Sequence, residues 1–169
     1  EIRKKKIINT EELIKIIDSI KRFKFTKINN STKVFQALRI FVNKEISELI
    51  YGLINSFKIL PIGGVIAVIT FHSIEDKIVK FFFRNYSENK STSRYLPELK
   101  KKNKLFKLIS KKPILPSNNE ILKNPPSRSA KLRYGIKINN SINFDEFLIK
   151  FKSFLEVENI HKKLWKKFI

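Results

Sequence analysis

A histidine and a serine stand at the end of an unbroken apolar run: Val65-Ile-Ala-Val-Ile-Thr-Phe71 leads straight into His72-Ser73. A continuous, β-branched run of this length reads as a strand buried on both faces of a parallel sheet. The residues after it repeat at helical spacing, so His72 and Ser73 are expected at the carboxyl edge of the sheet, where open α/β folds bind ligands. Ser73 would also sit at a helix N-terminus, a natural place for an anion. The same two residues suit a plainer task. Ser73-x-x-Asp76 reads as a capping box with Asp in place of Glu, and His72 can brace the loop. Glu75 and Asp76 favour the helix dipole in either case.

Two other groups carry polar chemistry. Gln36, Arg39 and Asn43 fall at i, i+3 and i+7, a polar stripe on an otherwise apolar helix that faces either a cleft or solvent. Arg128, Ser129 and Arg133 are suited to clamping phosphates or pairing with acids. With no Cys and only His72 and His161, far apart, a metal site is not expected.

The elements that must position these groups are legible in outline. Thr10-Glu-Glu-Leu13 opens a helix with Thr10 as its cap, and Leu13, Ile16, Ile17 and Ile20 share a face. A second, longer helix starts at Asn30-Ser31-Thr32 and runs through Val34, Phe35, Leu38, Phe41, Val42, Leu49, Ile50, Leu53 and Phe57. Pro61 and Gly63-Gly64 end it. After the Val65–Phe71 strand, Ile74, Ile78, Val79, Phe82 and Phe83 give the next helix its buried face. Lys112-Pro-Ile-Leu-Pro116 reads as a short edge strand. In Ala130–Ile138 the residues Leu132, Tyr134, Ile136 and Ile138 are expected to point inward. A last amphipathic helix from Asn143 to about Phe168, with Phe144, Phe147, Leu148, Phe151 and Phe154 on one side, is expected to pack on its own domain rather than lie on a membrane.

The chain is strongly basic, with net charge +21 from 36 Lys and Arg against 15 Asp and Glu, and 42% of it is apolar. It therefore has material for a core, and its field draws polyanions in a salt-dependent way. Between Lys90 and Arg133 the only acids are Glu98 and Glu120. Lys100-Lys-Lys102, Lys104, Lys107 and Lys111-Lys112 cluster there with Tyr95 and Phe106, as in a solvated loop or a phosphate-tracking one. No apolar run approaches the roughly 20 residues of a membrane span, so a soluble, cytoplasmic protein without a stable membrane partner is expected.

Four ordered blocks carry a family resemblance: Lys5-Lys-Ile-Ile-Asn-Thr10, Phe35-Gln-Ala-Leu-Arg-Ile-Phe-Val-Asn43, Phe71-His-Ser-Ile-Glu-Asp-Lys-Ile-Val-Lys80 and Asn124-Pro-Pro-Ser-Arg-Ser-Ala-Lys-Leu-Arg133. Over roughly residues 1–138 the chain resembles the C-terminal portion of the ribosomal RNA small subunit methyltransferase H family. The resemblance implies an α/β fold, the second half of a class I, Rossmann-like methyltransferase sheet. Residues 1–30 would end a helical insertion, residues 31–138 would be the C-terminal half of the methyltransferase domain with a basic loop at about 87–112, and residues 139–169 would be a helical extension. It implies N4-methylation of a cytidine in small-subunit rRNA, with the small ribosomal subunit as partner and S-adenosylmethionine as donor. His72 is then the catalytic candidate, and Gln36, Arg39, Asn43, Ser73, Arg128, Ser129 and Arg133 are the substrate or RNA contacts.

The family's donor contacts lie in a glycine-rich turn, an acid after the second strand, and an Asp-Leu-Gly-x-Ser-Ser segment. None occurs here, where the glycines are Gly52, Gly63, Gly64 and Gly135. The chain is accordingly expected to be a fragment that lacks the donor-binding half, contributes no cofactor residues and is inactive alone. The alternative is a non-enzymatic, basic RNA-binding protein built on the same fold. Asn124-Pro-Pro-Ser127 looks like the Asn-Pro-Pro-aromatic motif of amino-methyltransferases, but it ends in Ser and precedes the last strand, so the likeness is read as coincidence.

Overall fold

A computed structural model describes residues 7–20, 30–87, 104–141 and 143–165. The chain forms two compact units, Glu1–Glu45 with Val157–Ile169, and Ile46–Glu156.

In the first unit, helix α1 (Thr10–Ile20) packs against α2 (Asn30–Asn43), with Ile17 buried. The α1 cap is Asn9 rather than Thr10. Asn9 Oδ1 accepts the Glu12 N–H at 2.9 Å, and Glu12 Oε2 accepts the Ile8 N–H at 3.1 Å. The long helix expected from Asn30 to Phe57 is two helices, because Lys44 takes a left-handed backbone (φ 55°) between α2 and α3 (Glu45–Ile59). An L-residue rarely adopts that conformation. Arg39 and Asn43 both bond to Glu45, just past the break. The single apolar stripe is therefore not continuous, and Leu38 and Val42 are exposed.

The second unit is α/β. Helix α3 buries Ile46, Ile50, Leu53, Ile54 and Phe57, a helical repeat. Pro61 and Gly63 (φ +88°) turn the chain into β1 (Val65–Thr70), followed by α4 (Ser73–Asn85), β2 (Phe106–Lys107), α5 (Asn118–Lys123), a 3-10 turn (Pro125–Ser129) and β3 (Lys131–Lys137). The sheet order is β1-β3-β2, and both pairings are antiparallel.

Strand β1 is therefore not a strand buried on both faces of a parallel sheet. Ile66 and Thr70 are buried towards α4, while Val65 and Ile69 on the other face are 53% and 59% exposed. Its apolar run is continuous, yet among the described residues nothing covers the second face. The expected edge strand at Lys112–Pro116 is a single bridge from Ile114 to Leu132, and the two-residue β2 occupies the sheet edge instead. The parity of β3 is also reversed at its end: Gly135 and Lys137 are buried, whereas Ile138 is 42% exposed. The inward position at 135 is glycine because Phe83 and Leu108 leave no room for more: a Cβ there would lie 2.9 Å from Phe83 Cδ1.

The core is aromatic. Phe82 meets Phe83, Tyr86, Phe106, Phe144 and Phe147 with ring centroids 5.1–5.8 Å apart. Phe144 and Phe147 come from the tail, which is two helices, α6 (Asp145–Lys150) and α7 (Lys152–Trp165), separated at Phe151. The start of the tail thus packs on its own unit, with Phe144, Phe147 and Phe151 buried. Each such ring contributes roughly 1.5–3 kcal/mol on burial, which is why the tail docks.

Candidate functional site

The antiparallel register decides what meets at the end of the sheet. Thr70 at the end of β1 is opposite Lys131 at the start of β3, and Thr70 Oγ1 donates to the Lys131 carbonyl. The residues just beyond β1, Phe71, His72 and Ser73, are thereby brought to the same end as Arg128 and Ser129, which close the 3-10 turn before β3. Ser73, Arg128 and Ser129 are exposed, and Phe71 is 56% exposed. An exposed aromatic ring, a guanidinium and two hydroxyls thus share one end of the sheet. Phe71 was not singled out from sequence, since it reads as the last apolar residue of a buried strand.

His72, not Ser73, is the N-cap of α4, and the capping box is His72 with Glu75 rather than Ser73 with Asp76. Nδ1 of His72 accepts the Glu75 N–H at 3.3 Å, and Glu75 Oε2 accepts the N–H groups of Phe71 and His72 at 2.9 and 3.2 Å. With Nδ1 as acceptor, the neutral ring carries its proton on Nε2. Nε2 is buried 3.1 Å from Glu75 Oε1, close enough to pair but not aligned as a hydrogen bond. The imidazole thus fixes the β1–α4 turn, the bracing task its sequence position allowed.

Asp76, one residue on, is bound to the sheet instead. Its carboxylate accepts from Arg133 Nε at 2.8 Å and from Lys131 Nζ at 3.3 Å. Burial by itself would raise the Asp76 carboxyl, but the hydrogen bonds and charges of Arg133 and Lys131 outweigh it and hold the group below the usual carboxylate range. Arg133 Nη1 also donates to the Lys111 carbonyl. Its guanidinium is thus engaged by an acid and a main-chain carbonyl.

In the other unit, Arg39 donates through Nε and Nη2 to Glu45 at 2.8 and 3.1 Å, and Asn43 Nδ2 donates to the same carboxylate at 3.2 Å. Gln36 is half-buried. The predicted stripe is thus a helix-end network for two of its members. Of the basic loop, residues 88–103, with Tyr95 and Lys100–Lys102, lie outside the described residues, as do the side chain of His161 and residues 166–169.

The β1–α4 turn contains no glycine, and the N–H groups of Phe71 and His72 are bonded to Glu75. No helix among the described residues is long and apolar enough to cross a membrane.

Comparison with known proteins gives the same family that the motifs suggested. The chain is 50% identical over 139 residues to the ribosomal RNA small subunit methyltransferase H of Borreliella afzelii (strain PKo), covering 82% of this chain and 42% of that protein. It is 48% identical over 140 residues to the protein of that name in Ehrlichia chaffeensis (strain ATCC CRL-10679 / Arkansas), 82% of this chain and 44% of the relative. For the one in Rhodopseudomonas palustris (strain TIE-1) the identity is 43% over 127 residues, 75% and 38%. The chain therefore spans about two-fifths of the length of the curated relatives it matches. The model of the MraW methylase family matches residues 1–138, so the chain belongs to that methyltransferase family.

Proposed function

We propose that this chain is the substrate-facing part of an enzyme that methylates the exocyclic N4 amine of a cytidine in small-subunit ribosomal RNA. One observation supports the reading most: Phe71, His72 and Ser73 share one end of the sheet with Arg128 and Ser129, in a chain whose relatives carry rRNA methyltransferase names. The cytosine amine is a poor nucleophile because its lone pair is delocalised into the ring, so the protein's task is alignment. S-adenosylmethionine, when bound, supplies the reactive methyl group.

In this reading Phe71 offers a face on which the base stacks. His72 serves catalysis as a positioning residue, its capping box with Glu75 holding Phe71 at the turn. Ser73, Arg128 and Ser129 contact the substrate backbone, and Arg133 acts through Asp76 and the Lys111 carbonyl. Gln36, Arg39 and Asn43 are assigned to RNA contact from α2. The donor site belongs to the length that the relatives have beyond the matched segment, and the 169-residue chain alone is inactive. The uncovered face of β1, with Val65 and Ile69, suits the remainder of a class I methyltransferase domain. The working partner is the small ribosomal subunit, in the cytoplasm.

A chimera tests this. Residues 1–138 replace the matching segment of the Borreliella afzelii relative, and unmodified small subunits are assayed for N4-methylcytidine by mass spectrometry. Activity within tenfold of the parent is expected. A folded, donor-binding chimera that yields no N4-methylcytidine overturns the proposal and favours a non-enzymatic RNA-binding role.

A further inference from the structure

The two edges of the sheet differ in character. On one side β2 is two residues long and ends in the exposed Lys107, and the bridge from Ile114 beside it is flanked by Pro113 and Pro116. Short length, lysine and proline are what keep an edge from pairing with another chain. On the other side β1 runs Val65-Ile-Ala-Val-Ile-Thr70 with no charge, no proline and an unbroken register, and among the described residues no strand pairs with its outer side. The register also tells which main-chain groups are open. Leu132 of β3 exchanges both of its bonds with Ile114 on the far side, and the Lys137 N–H donates to the Gly64 carbonyl. Bonding positions alternate along an antiparallel strand, so Ile66, Val68 and Thr70 bond to β3, while Val65, Ala67 and Ile69 turn their N–H and C=O groups outward. The side chains of these same three residues are exposed on the uncovered face.

We propose that this edge pairs with β1 of a second copy of the chain, antiparallel and two-fold symmetric about Ala67. In that register Ala67 lies opposite Ala67 of the second copy, and Val65 lies opposite Ile69. Each opposed pair exchanges two main-chain bonds. The β-branched Val65 and Ile69 pairs add side-chain contact, and the small Ala67 side chain sits where the axis passes. The same strand serves both copies and the other edge is guarded, so association closes at two. The segment that completes the domain in the function proposed above would compete for this edge, so the dimer belongs to the 169-residue chain by itself. Edge pairing buries less than the roughly 1,200 Å² below which complexes are weak and transient, so affinity is expected at or weaker than about micromolar. Both copies carry a net charge of +21. Salt screens that repulsion, and the dimer therefore strengthens as ionic strength rises.

Sedimentation equilibrium of the nuclease-treated 169-residue chain tests this at low and high sodium chloride. The parent is expected to show a monomer–dimer equilibrium with no larger species, and more dimer at high salt. Ala67→Pro removes an outward N–H and leaves the β1–β3 bonds in place, and Ala67→Lys sets two ammonium groups together at the axis. Each should weaken dimerisation by about tenfold or more, with circular dichroism showing a folded chain; where Ala67→Pro does not fold, Ala67→Lys carries the test. Leu122→Lys, at an exposed apolar position on α5, is the control and should dimerise as the parent does. Because the chain has no cysteine, Ala67→Cys adds a direct readout. Opposed Cα atoms about 5.5 Å apart suit a disulfide, so mild oxidation should cross-link this variant and not Leu122→Cys. A parent that stays monomeric, species larger than the dimer, a dimer that survives the Ala67 substitutions, or an equal loss in the Leu122 control overturns the proposal. Association that fades with salt overturns it too, and assigns the contact to a bridging polyanion. The proposal does not rest on the RNA reading, and its failure and that of the chimera are read in separate assays.

Discussion

Lys137 gives the sharpest test of how this fold is held. Its side chain is 3% exposed, its Nζ donates to the carbonyls of Phe57 and Leu60 at 2.8 and 2.6 Å, and it lies 4.3 Å from the centre of the Phe57 ring. No carboxylate is among these contacts. The ammonium instead closes the C-terminal end of α3, where main-chain carbonyls lack helical partners and the dipole is negative. Lys137→Met keeps most of the volume and removes the donors. Two carbonyls would then lose their bond at about 1–3 kcal/mol each. Water recovers part of this at Leu60, which is only half-buried. Against the loss, the desolvation of a buried ammonium, several kcal/mol, disappears. We expect the loss to exceed the gain by at most about 2 kcal/mol, a fall in Tm of no more than about 4–8 °C for a chain of this size. Urea and thermal melts followed by circular dichroism would measure it. A Met variant as stable as the parent, or more so, would refute the view that helix closure outweighs desolvation.

Other expectations follow from single contacts. Asp76→Asn should destabilise by about 2 kcal/mol at neutral pH, since it strips a charge partner from the largely buried Arg133. Because the folded carboxyl lies below its unfolded value, this contribution is present above about pH 4 and fades as pH falls further; an Asn variant that melts like the parent at pH 7 would refute it. Burial pushes the Tyr86 phenol up to about 12. Its stabilising effect is complete below pH 10 and lost as pH rises towards 12, so Tyr86→Phe should remove that alkaline decline in a pH series of melts. His72→Asn, which keeps a good cap, should leave the chimera's activity within a few-fold, while His72→Ala costs about 1 kcal/mol and more activity. If both lose activity equally, His72 does more than hold the turn. Gly135→Val should cost about 1–3 kcal/mol in urea melts, as the buried Phe83 ring cannot yield.

The sequence by itself determined the elements whose signals are local. The helical repeat of α4, the Pro-Gly turn into β1 and the apolar side of the tail each depend on residues within a few positions, and all three appear where their spacing put them. The family was also legible, because ordered motifs survive in the linear chain. Tertiary structure decided the rest. Lys137 looks like an outward strand residue until the end of α3 is folded over it. Arg133 reads equally as a phosphate ligand or a partner for an acid, and only the fold brings Asp76, on another element, to it. Whether His72 or Ser73 caps α4 turned on a single residue of backbone geometry. A charge or a polar atom is committed by its partner, and the partner here lies as many as eighty positions away.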